Sequence, residues 1–163
     1  MKIRTAQASD CDQVAEVDSI SFTDSGFGVA HNMAQDRAFQ AKRRADVRGY
    51  CSEHPDWVFV AVEDDRIVGF ASIEYDPQEQ AGEIDNNGVV PAYRNRGIST
   101  QLVRHAVGEL KRLGVKHIKV HTVHVPAARR VYEKAGFTLV KQVQEQDSEG
   151  GPLGLGCYYE MHF

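Results

Sequence analysis

The sequence predicts a single α/β domain over residues 1–163, built on a mixed β-sheet that about four helices flank. Three observations lead to this prediction. The chain has 163 residues, 42% of them hydrophobic and 26% charged, which is the size and composition of one globular domain. Its second half alternates strand and helix patterns, which indicates parallel neighbours joined by a right-handed crossover. Hairpin patterns towards both ends indicate antiparallel pairing as well.

Helices are predicted in the first fifty residues. Ser9 and Asp12 have the spacing of a capping box, and apolar residues then recur with helical periodicity. This pattern predicts a helix at about 9–22. The apolar stripe over 24–50 is less regular, and it still favours a helix there.

The middle of the chain has the composition of β-strands. Residues 57–62 and 67–73 are short runs of aromatic and β-branched side chains with a polar stretch between them, a pattern typical of a β-hairpin. A further strand is predicted at 83–90. Within it, Asn86-Asn87-Gly88 is also typical of a tight hairpin turn. Only two residues would then precede Pro91, which is too few for a stable strand.

The clearest helix covers 98–113. Its apolar residues fall on one helical face, and Gly114 follows directly, as expected just past a helix end. The remaining elements are predicted as a strand at 115–123, a helix at 126–135 opened by Pro126 and closed by Gly136, a strand at 137–143 and a strand at 155–161.

Charge and cysteine content disfavour several classes of protein. With 19 Lys and Arg against 23 Asp and Glu, the formal net charge is −4, whereas nucleic-acid binding rests on a basic footprint. The three cysteines are widely spaced without a CxxC pair, and no third ligand accompanies His121 and His124 at metal-binding spacing. We therefore expect a cytoplasmic protein with reduced thiols, no metal, no nucleic-acid partner and no membrane segment.

The basic loop before the clearest helix is suited to an anionic ligand. A helix N-terminus offers unpaired N–H groups and partial positive charge, Gly97 lets the backbone approach closely, and Arg94 and Arg96 add full charges. A pyrophosphate is the natural occupant. The alternative is that Ser99 or Thr100 caps the helix while the arginines are solvated. The loop has neither GxGxxG nor GxxxxGK[ST], which disfavours dinucleotide-binding Rossmann and P-loop proteins.

Two motifs resemble those of the GNAT superfamily of N-acetyltransferases. Arg94-x-x-Gly97-x-Ser99, followed by a helix, is similar to the acetyl-CoA pyrophosphate loop of that superfamily. About 30 residues further on, the segment 128–137 carries Tyr132 and ends in Gly-Phe, like the second motif of the superfamily. The resemblance implies a mostly antiparallel sheet with a central parallel pair, acetyl-CoA as cosubstrate and no metal.

The resemblance also implies which residues bind the cosubstrate. They lie in the strand end and the loop: Val89, Val90, Arg94, Asn95, Arg96, Gly97, Ile98, Ser99 and Thr100. It implies further that Gly88 belongs to a strand distorted by a bulge, and not to a hairpin turn. The backbone after the bulge is then free to bond the amides of the pantetheine arm.

Two positions depart from the pattern of the superfamily. Ser99 stands where a glycine or alanine is usual. Val125 stands where an asparagine commonly helps to hold the pantetheine arm, so that polar contact is missing or comes from Thr122 or His124. The departure at Val125 supports an alternative function, a non-catalytic acyl-CoA-binding or regulatory module.

The resemblance implies two catalytic residues. Tyr132 occupies the place of a general acid that protonates the departing thiolate, although a helical tyrosine of this kind can also be a core residue. Glu83, six residues before Val89, lies where histone-acetylating members carry a catalytic glutamate that serves as the base. Asp85, on the same strand face, and a relay of waters are alternatives to Glu83. Neither motif contains a cysteine, so direct transfer is expected.

The acceptor is expected to be an amine of a small molecule or of a protein. The two leading helices and the loop over 22–31 should shape its site, with His121 and His124 near the reaction centre. A basic helix face formed by Arg129, Arg130 and Lys134 is either solvated or near the 3′-phosphate of the cosubstrate. An RNA-linked acceptor is disfavoured by the net charge of −4. The resemblance is also compatible with a homodimer, because many members of the superfamily are dimers.

Overall fold

The computed structural model describes residues 1–123, 125–146 and 150–163, and its seven strands form one mixed sheet. The strands are β1 (Lys2–Thr5), β2 (Val58–Glu63), β3 (Arg66–Asp76), β4 (Ala81–Val89), β5 (His117–Val123), β6 (Thr138–Gln146) and β7 (Pro152–His162). Their order across the sheet is β1-β2-β3-β4-β5-β7-β6. Among these described strands, β4 and β5 alone pair in parallel. This confirms the predicted α/β class with its central parallel pair.

Helices cover both faces of the sheet. Within the described residues they are α1 (Cys11–Thr23), α2 (Gly26–Ala30), α3 (Arg37–Glu53), α4 (Ile98–Arg112) and α5 (Pro126–Ala135). The first and third helices pack against each other on one face, and α4 packs on the other face beside α5. No helix among the described residues is long and apolar enough to cross a membrane.

Strand β2 is buried on both of its faces. Val58 and Val60 belong to the apolar cluster under α1 and α3, while Phe59 and Ala61 belong to the cluster under α4. Alternate residues of a strand point to opposite faces, so one continuous apolar run serves both cores.

Several predicted boundaries differ from those observed. Strand β1 was not predicted, and the region 24–50 holds two helices, α2 and α3, where one was expected. The capping box predicted at Ser9 and Asp12 is wrong. Asp10 takes that role, because its Oδ2 accepts a hydrogen bond from the Gln7 N–H at 2.7 Å, and it also pairs with Arg4.

Strand β4 is continuous and carries a β-bulge, so the alternative of a hairpin at Asn86-Asn87-Gly88 is wrong. Ala71 of β3 lies opposite Asn87 and Ile73 lies opposite Ile84, so two residues of β4 face Ser72 alone. The bulge is therefore at residues 85–86, slightly before the position expected from Gly88. The buried Ser72 hydroxyl accepts a hydrogen bond from the backbone N–H of Asn86 at 3.1 Å.

The bulge reverses which face of the sheet the odd-numbered residues occupy. Before it, Ile84 packs in the core under α4, so Glu83 lies on the α3 side. After it, Val89 packs in the core under α4 and Asn87 bonds to residues of α4 and α5. Gly88 then faces α1, where a Cβ would collide with the Ser21 side chain.

The parallel pairing between β4 and β5 is short. It runs from Ala81 opposite His117 to Glu83 opposite Lys119. Beyond this point β5 stays paired with β7, and the bulged half of β4 stays paired with β3. The two central strands therefore diverge, and a cleft opens between them.

Replacing Ser72 with alanine tests how the bulge is held. The substitution leaves the Asn86 N–H without its acceptor in a buried site, so the free energy of unfolding should fall by about 1–3 kcal/mol. Denaturant unfolding measures this change. Ser52→Ala, on the exposed side of α3, should stay within about 0.5 kcal/mol of the parent. Equal stability of the two variants would show that Ser72 does not support the bulge.

Candidate active site

A cavity of about 400 Å³ lies in the cleft between the diverging strands. Seven of the nine predicted cosubstrate-binding residues line it: Val89, Arg94, Asn95, Gly97, Ile98, Ser99 and Thr100. The structure places the other two elsewhere. Val90 packs against the apolar clusters. Arg96 lies over the ring of Tyr93 and pairs with Glu63 at 3.3 Å.

The N-terminus of α4 presents unpaired backbone N–H groups to this cavity. Gly97 has φ of 76°, a left-handed conformation that favours glycine. The first bond within the helix runs from the Gln101 N–H to the Gly97 carbonyl, so the N–H groups of Ile98, Ser99 and Thr100 have no acceptor within the helix. Among the described residues no side chain caps this helix end. The end fits an anionic group.

Arg94 fastens the loop to β4 and to the end of α1. Its Nε donates to the Val89 carbonyl at 3.1 Å, and its Nη2 donates to the Ser21 carbonyl at 3.2 Å. Its Nη1 pairs with the Asp24 carboxylate at 2.5 Å. Asp24 follows α1 directly, so any anion that binds to Arg94 competes with this carboxylate.

Helix α5 supplies cationic groups to the opposite wall. Arg130 and Lys134 are four residues apart, share a helical face and line the cavity. Arg129 pairs instead with Glu133 at 2.7 Å on the exposed side of the helix. Cationic side chains therefore line the cavity both on α5 and on the loop, where Arg94 is paired with Asp24.

Tyr132 is buried beside the cleft and belongs to a chain of hydrogen bonds. Its side chain is 4% exposed, and its hydroxyl accepts a hydrogen bond from Asn87 Nδ2 at 2.7 Å. Asn87 Oδ1 accepts in turn from the Ser99 hydroxyl at 3.0 Å. Burial raises the pKa of Tyr132 to about 12, while the bond from Asn87 lowers it. The phenol therefore keeps its proton near neutral pH.

A second cavity of about 390 Å³ adjoins the first beneath α1 and α2. Asn87 and Val125 line both cavities, and Tyr132 and Asp85 line the second. Aromatic side chains of the predicted acceptor region close it on one side, among them Phe22. The tyrosine hydroxyl and the shared Asn87 thus lie where the two cavities meet.

Arg43 organises the wall of the second cavity. It forms two hydrogen bonds to the buried Asp18 carboxylate, at 2.6 and 2.8 Å, and one to Asn86 Oδ1 at 3.1 Å. Its guanidinium lies 4.0 Å from the centre of the Phe22 ring. Burial raises the pKa of Asp18, and the charge of Arg43 opposes that rise. These contacts join α1, α3 and the bulge of β4.

The two candidate bases occupy different places. Asp85 lines the second cavity, where it accepts hydrogen bonds from Ser72 and the Asn86 amide, and no basic side chain in the described ranges pairs with it. Glu83 lines neither cavity and lies in a separate pocket with Tyr50. Burial, Glu74 and Asp85 raise the pKa of Glu83.

Other predicted contacts have mixed outcomes. The Thr122 hydroxyl donates to the Val123 carbonyl at 3.1 Å and lines the second cavity, but His124 lies outside the described residues. His121 also lines the second cavity and pairs with Glu145 at 2.7 Å.

Sequence reasoning missed four residues of the site. They are Asp18, Asp24, Arg43 and Asn87. In the sequence Asn87 signalled only a turn, because its position facing Tyr132 depends on the bulge. Contacts between Asp18 and Arg43 join positions 25 residues apart on two helices, and neither residue belongs to a motif.

The fold and the cleft define an acyl-transferring enzyme of a known family. The chain belongs to the acetyltransferase (GNAT) family, whose model it matches over residues 19–137. This membership confirms the predicted acetyltransferase activity with acetyl-CoA as cosubstrate.

Two curated relatives have different acceptors in their names. N-alpha-acetyltransferase 30 of Schizosaccharomyces pombe is 30% identical over 100 residues, which cover 59% of this chain and 67% of the relative. Streptothricin acetyltransferase of Streptomyces lavendulae is 35% identical over 81 residues, which cover 48% of this chain and 43% of the relative. The match thus spans less than half the length of the second relative.

Solved structures share the fold over nearly the whole chain. The protein yncA of Salmonella typhimurium, solved with its cofactor acetyl-CoA, aligns with a TM-score of 0.75 and 20% identity over 99% of this chain and 93% of that chain. PaiA N-acetyltransferase of Thermoplasma acidophilum, in complex with coenzyme A, aligns with a TM-score of 0.73 and 17% identity over 99% and 98% of the two chains. At these identities the likeness establishes the fold.

Removing the carboxylate of Asp24 should strengthen binding of coenzyme A. Asp24→Asn takes away the anion that competes for Arg94, and a partly exposed pair of this kind is worth about 0.2–1 kcal/mol. The dissociation constant should therefore fall by up to about fivefold in titration calorimetry at low salt.

Asp12→Asn is the matched control, because it also removes one negative charge, here at the other end of α1, from an exposed pair with Arg48. Equal effects of both variants on the dissociation constant would show that the change in affinity comes from the net charge alone. Weaker binding by Asp24→Asn would mean that the pair with Arg94 holds the loop in its binding conformation.

Proposed function

We propose that this enzyme transfers the acetyl group of acetyl-CoA directly to a primary amine held in the second cavity. The observation that carries the proposal is the Tyr132 hydroxyl, buried where the two cavities meet and oriented by Asn87. Acetyl-CoA supplies the activated acetyl thioester. The chain supplies binding, alignment of the two reactants and the proton transfers.

The first cavity is proposed to hold the cosubstrate. The unpaired N–H groups at the start of α4 suit its pyrophosphate, and the cationic side chains Arg130 and Lys134 suit further phosphate oxygens. The edge of β4 that diverges from β5 has backbone groups free for the amides of the pantetheine arm. Val125 adds an apolar contact at the entry to α5.

Tyr132 is proposed as the general acid. Asn87 donates to its oxygen, which leaves the phenolic O–H group able to donate to the leaving sulfur. A pKa of about 12 means that the proton is present throughout the working pH range. The loss of this acid by ionisation should therefore not limit the rate below about pH 10.

The carboxylates of β4 are proposed to bind the acceptor amine and to accept its proton. Asp85, in the second cavity, attracts the cationic acceptor and accepts a hydrogen bond from it. Glu83 lies two residues further from the bulge on the same face, and it receives the proton through water. Its raised pKa suits a base that works near neutral pH.

A small amine and a chain end are both candidates for the acceptor. A cavity of about 390 Å³ lies within the range of small-molecule sites, and its aromatic wall suits an acceptor with apolar parts. The names of the two curated relatives point to an α-amine and to streptothricin as acceptors. A panel containing both classes, followed by release of the coenzyme A thiol, identifies the acceptor used in the assays below.

Tyr132→Phe tests the general acid. The substitution removes only the hydroxyl, so kcat should fall by about 10²-fold to 10⁴-fold while the dissociation constant for acetyl-CoA changes little. Steady-state kinetics and calorimetry measure the two quantities.

Tyr159→Phe is the matched control. Tyr159 is a fully buried tyrosine whose ring packs 5.6 Å from that of Tyr132, and its hydroxyl has no hydrogen-bond partner among the described residues. Its substitution should leave kcat unchanged. A Tyr132→Phe enzyme with normal kcat and a lowered melting temperature would show that this tyrosine is only a core residue.

Glu83→Gln and Asp85→Asn should affect different kinetic parameters. For Glu83→Gln, kcat should fall by about 100-fold, and the acidic limb of the pH profile should disappear. Glu83 must be ionised to act as a base, so its protonation at low pH stops catalysis. Its raised pKa brings this acidic limb closer to neutral pH. For Asp85→Asn, the main change should be a higher KM for the acceptor.

Full activity of Glu83→Gln with an unchanged pH profile would exclude Glu83 as the base. If Asp85→Asn lost the acidic limb instead, Asp85 would be the base, and persistence of the limb in both variants would indicate a relay of waters.

A further inference from the structure

Three side chains with metal-binding chemistry meet at the end of the sheet away from the cleft. His117 begins β5, and Glu160 and His162 lie near the end of β7. The strand register places His117 opposite His162 and Lys119 opposite Glu160. Residues two apart on a strand share a face, so all three side chains are on the same side of the sheet.

The ligand atoms of these side chains lie close together. Glu160 Oε2 is 3.0 Å from His162 Nε2 and 3.4 Å from His117 Nε2. All three atoms are within 4.8 Å of one another. Around a tetrahedral Zn²⁺ with bonds of about 2.0–2.1 Å, neighbouring ligand atoms are about 3.3 Å apart. Both distances to Glu160 fit ligands that share one ion, and in the structure without an ion the shorter one is a hydrogen bond between His162 and Glu160.

One of the three atoms is buried without a hydrogen bond among the described residues. His117 Nε2 is buried and forms no hydrogen bond within the described part of the chain. It lies 3.4 Å from Glu160 Oε2, but this contact does not have the geometry of a hydrogen bond. The rings of His117 and His162 are stacked, with centroids 4.2 Å apart, so both nitrogens reach the same carboxylate oxygen. Buried polar atoms rarely lack a partner, and a metal ion would supply one.

We infer that His117, Glu160 and His162 form a binding site for a divalent transition-metal ion of the class that prefers imidazole, with Zn²⁺ as the first candidate. Two imidazoles and one carboxylate are a ligand set that zinc commonly takes, and they leave a fourth position for water. Hard cations such as Mg²⁺ prefer sites made of oxygen ligands, so they should bind poorly here.

The site is separate from acetyl transfer. His117 is at the start of β5, whereas the cleft opens beside the end of that strand, about 20 Å away at 3.3 Å per residue. An ion held here would tie β5 to β7. It would also fix the last residues of the described chain, where the Phe163 N–H already donates to the Lys116 carbonyl at 3.0 Å. Its effect should therefore be on stability and not on turnover.

Titration calorimetry with ZnCl₂ on tag-free protein tests the inference. One ion should bind per chain, and Zn²⁺ should raise the melting temperature while MgCl₂ does not. Glu160→Gln and His162→Gln should each weaken zinc binding by at least about tenfold, since loss of a direct ligand should cost no less than loss of an outer-shell partner. The His162 side chain is 66% exposed, so its substitution should leave the fold intact.

His31→Gln is the matched control, because it removes an exposed histidine elsewhere on the surface. This variant should bind zinc like the parent. The inference is overturned if no saturable binding of one ion is found. It is also overturned if the Glu160 and His162 variants bind zinc as tightly as the parent, since the ion would then be held by other groups, such as His121 with Glu145.

Discussion

The bulge in β4 is the constraint on which the site depends. An extra residue in a strand moves every later side chain to the opposite face of the sheet. Here it places Glu83 and Asp85 on the side of α3 and Asn87 on the side of α4 and α5. One strand can therefore contribute carboxylates to the acceptor side and an amide to Tyr132. Ser72 and Arg43 hold the bulge by bonding to Asn86.

The end of α1 links the two halves of the site. Asp18 contacts Arg43 beside the second cavity, while Ser21 and Asp24 hold Arg94 at the loop of the first cavity. Gly88 lets this helix lie directly against the strand. If binding of either reactant displaced α1, the lining of both cavities would therefore change. In the proposed function, the end of this one helix therefore contacts both the acceptor and the cosubstrate.

The sequence was most informative where local chemistry decides the structure. The loop from Arg94 to Thr100 and the helix with Tyr132 were predicted because glycine, charge and helix ends have local signatures. Strand β1 was missed because four residues carry too little periodicity. Asn87 was missed for a different reason: its face is decided by a bulge that depends on Ser72, a residue of the neighbouring strand. The placement of Glu83 outside both cavities also follows from tertiary packing.

The hydrogen bond from Asn87 reconciles the burial of Tyr132 with its proposed role. A phenol with a pKa of about 12 is a weaker acid than a thiol, whose ordinary value is about 8.5. Complete transfer of its proton to a free thiolate is therefore unfavourable. In the proposed role, donation to the sulfur while the carbon–sulfur bond breaks is favourable, because negative charge develops on the sulfur at that moment. Asn87 stabilises the charge left on the phenolic oxygen, and Ser99 keeps the Asn87 amide turned towards it. A serine in place of the usual small residue of the loop thus connects the proposed pyrophosphate site to the proposed acid.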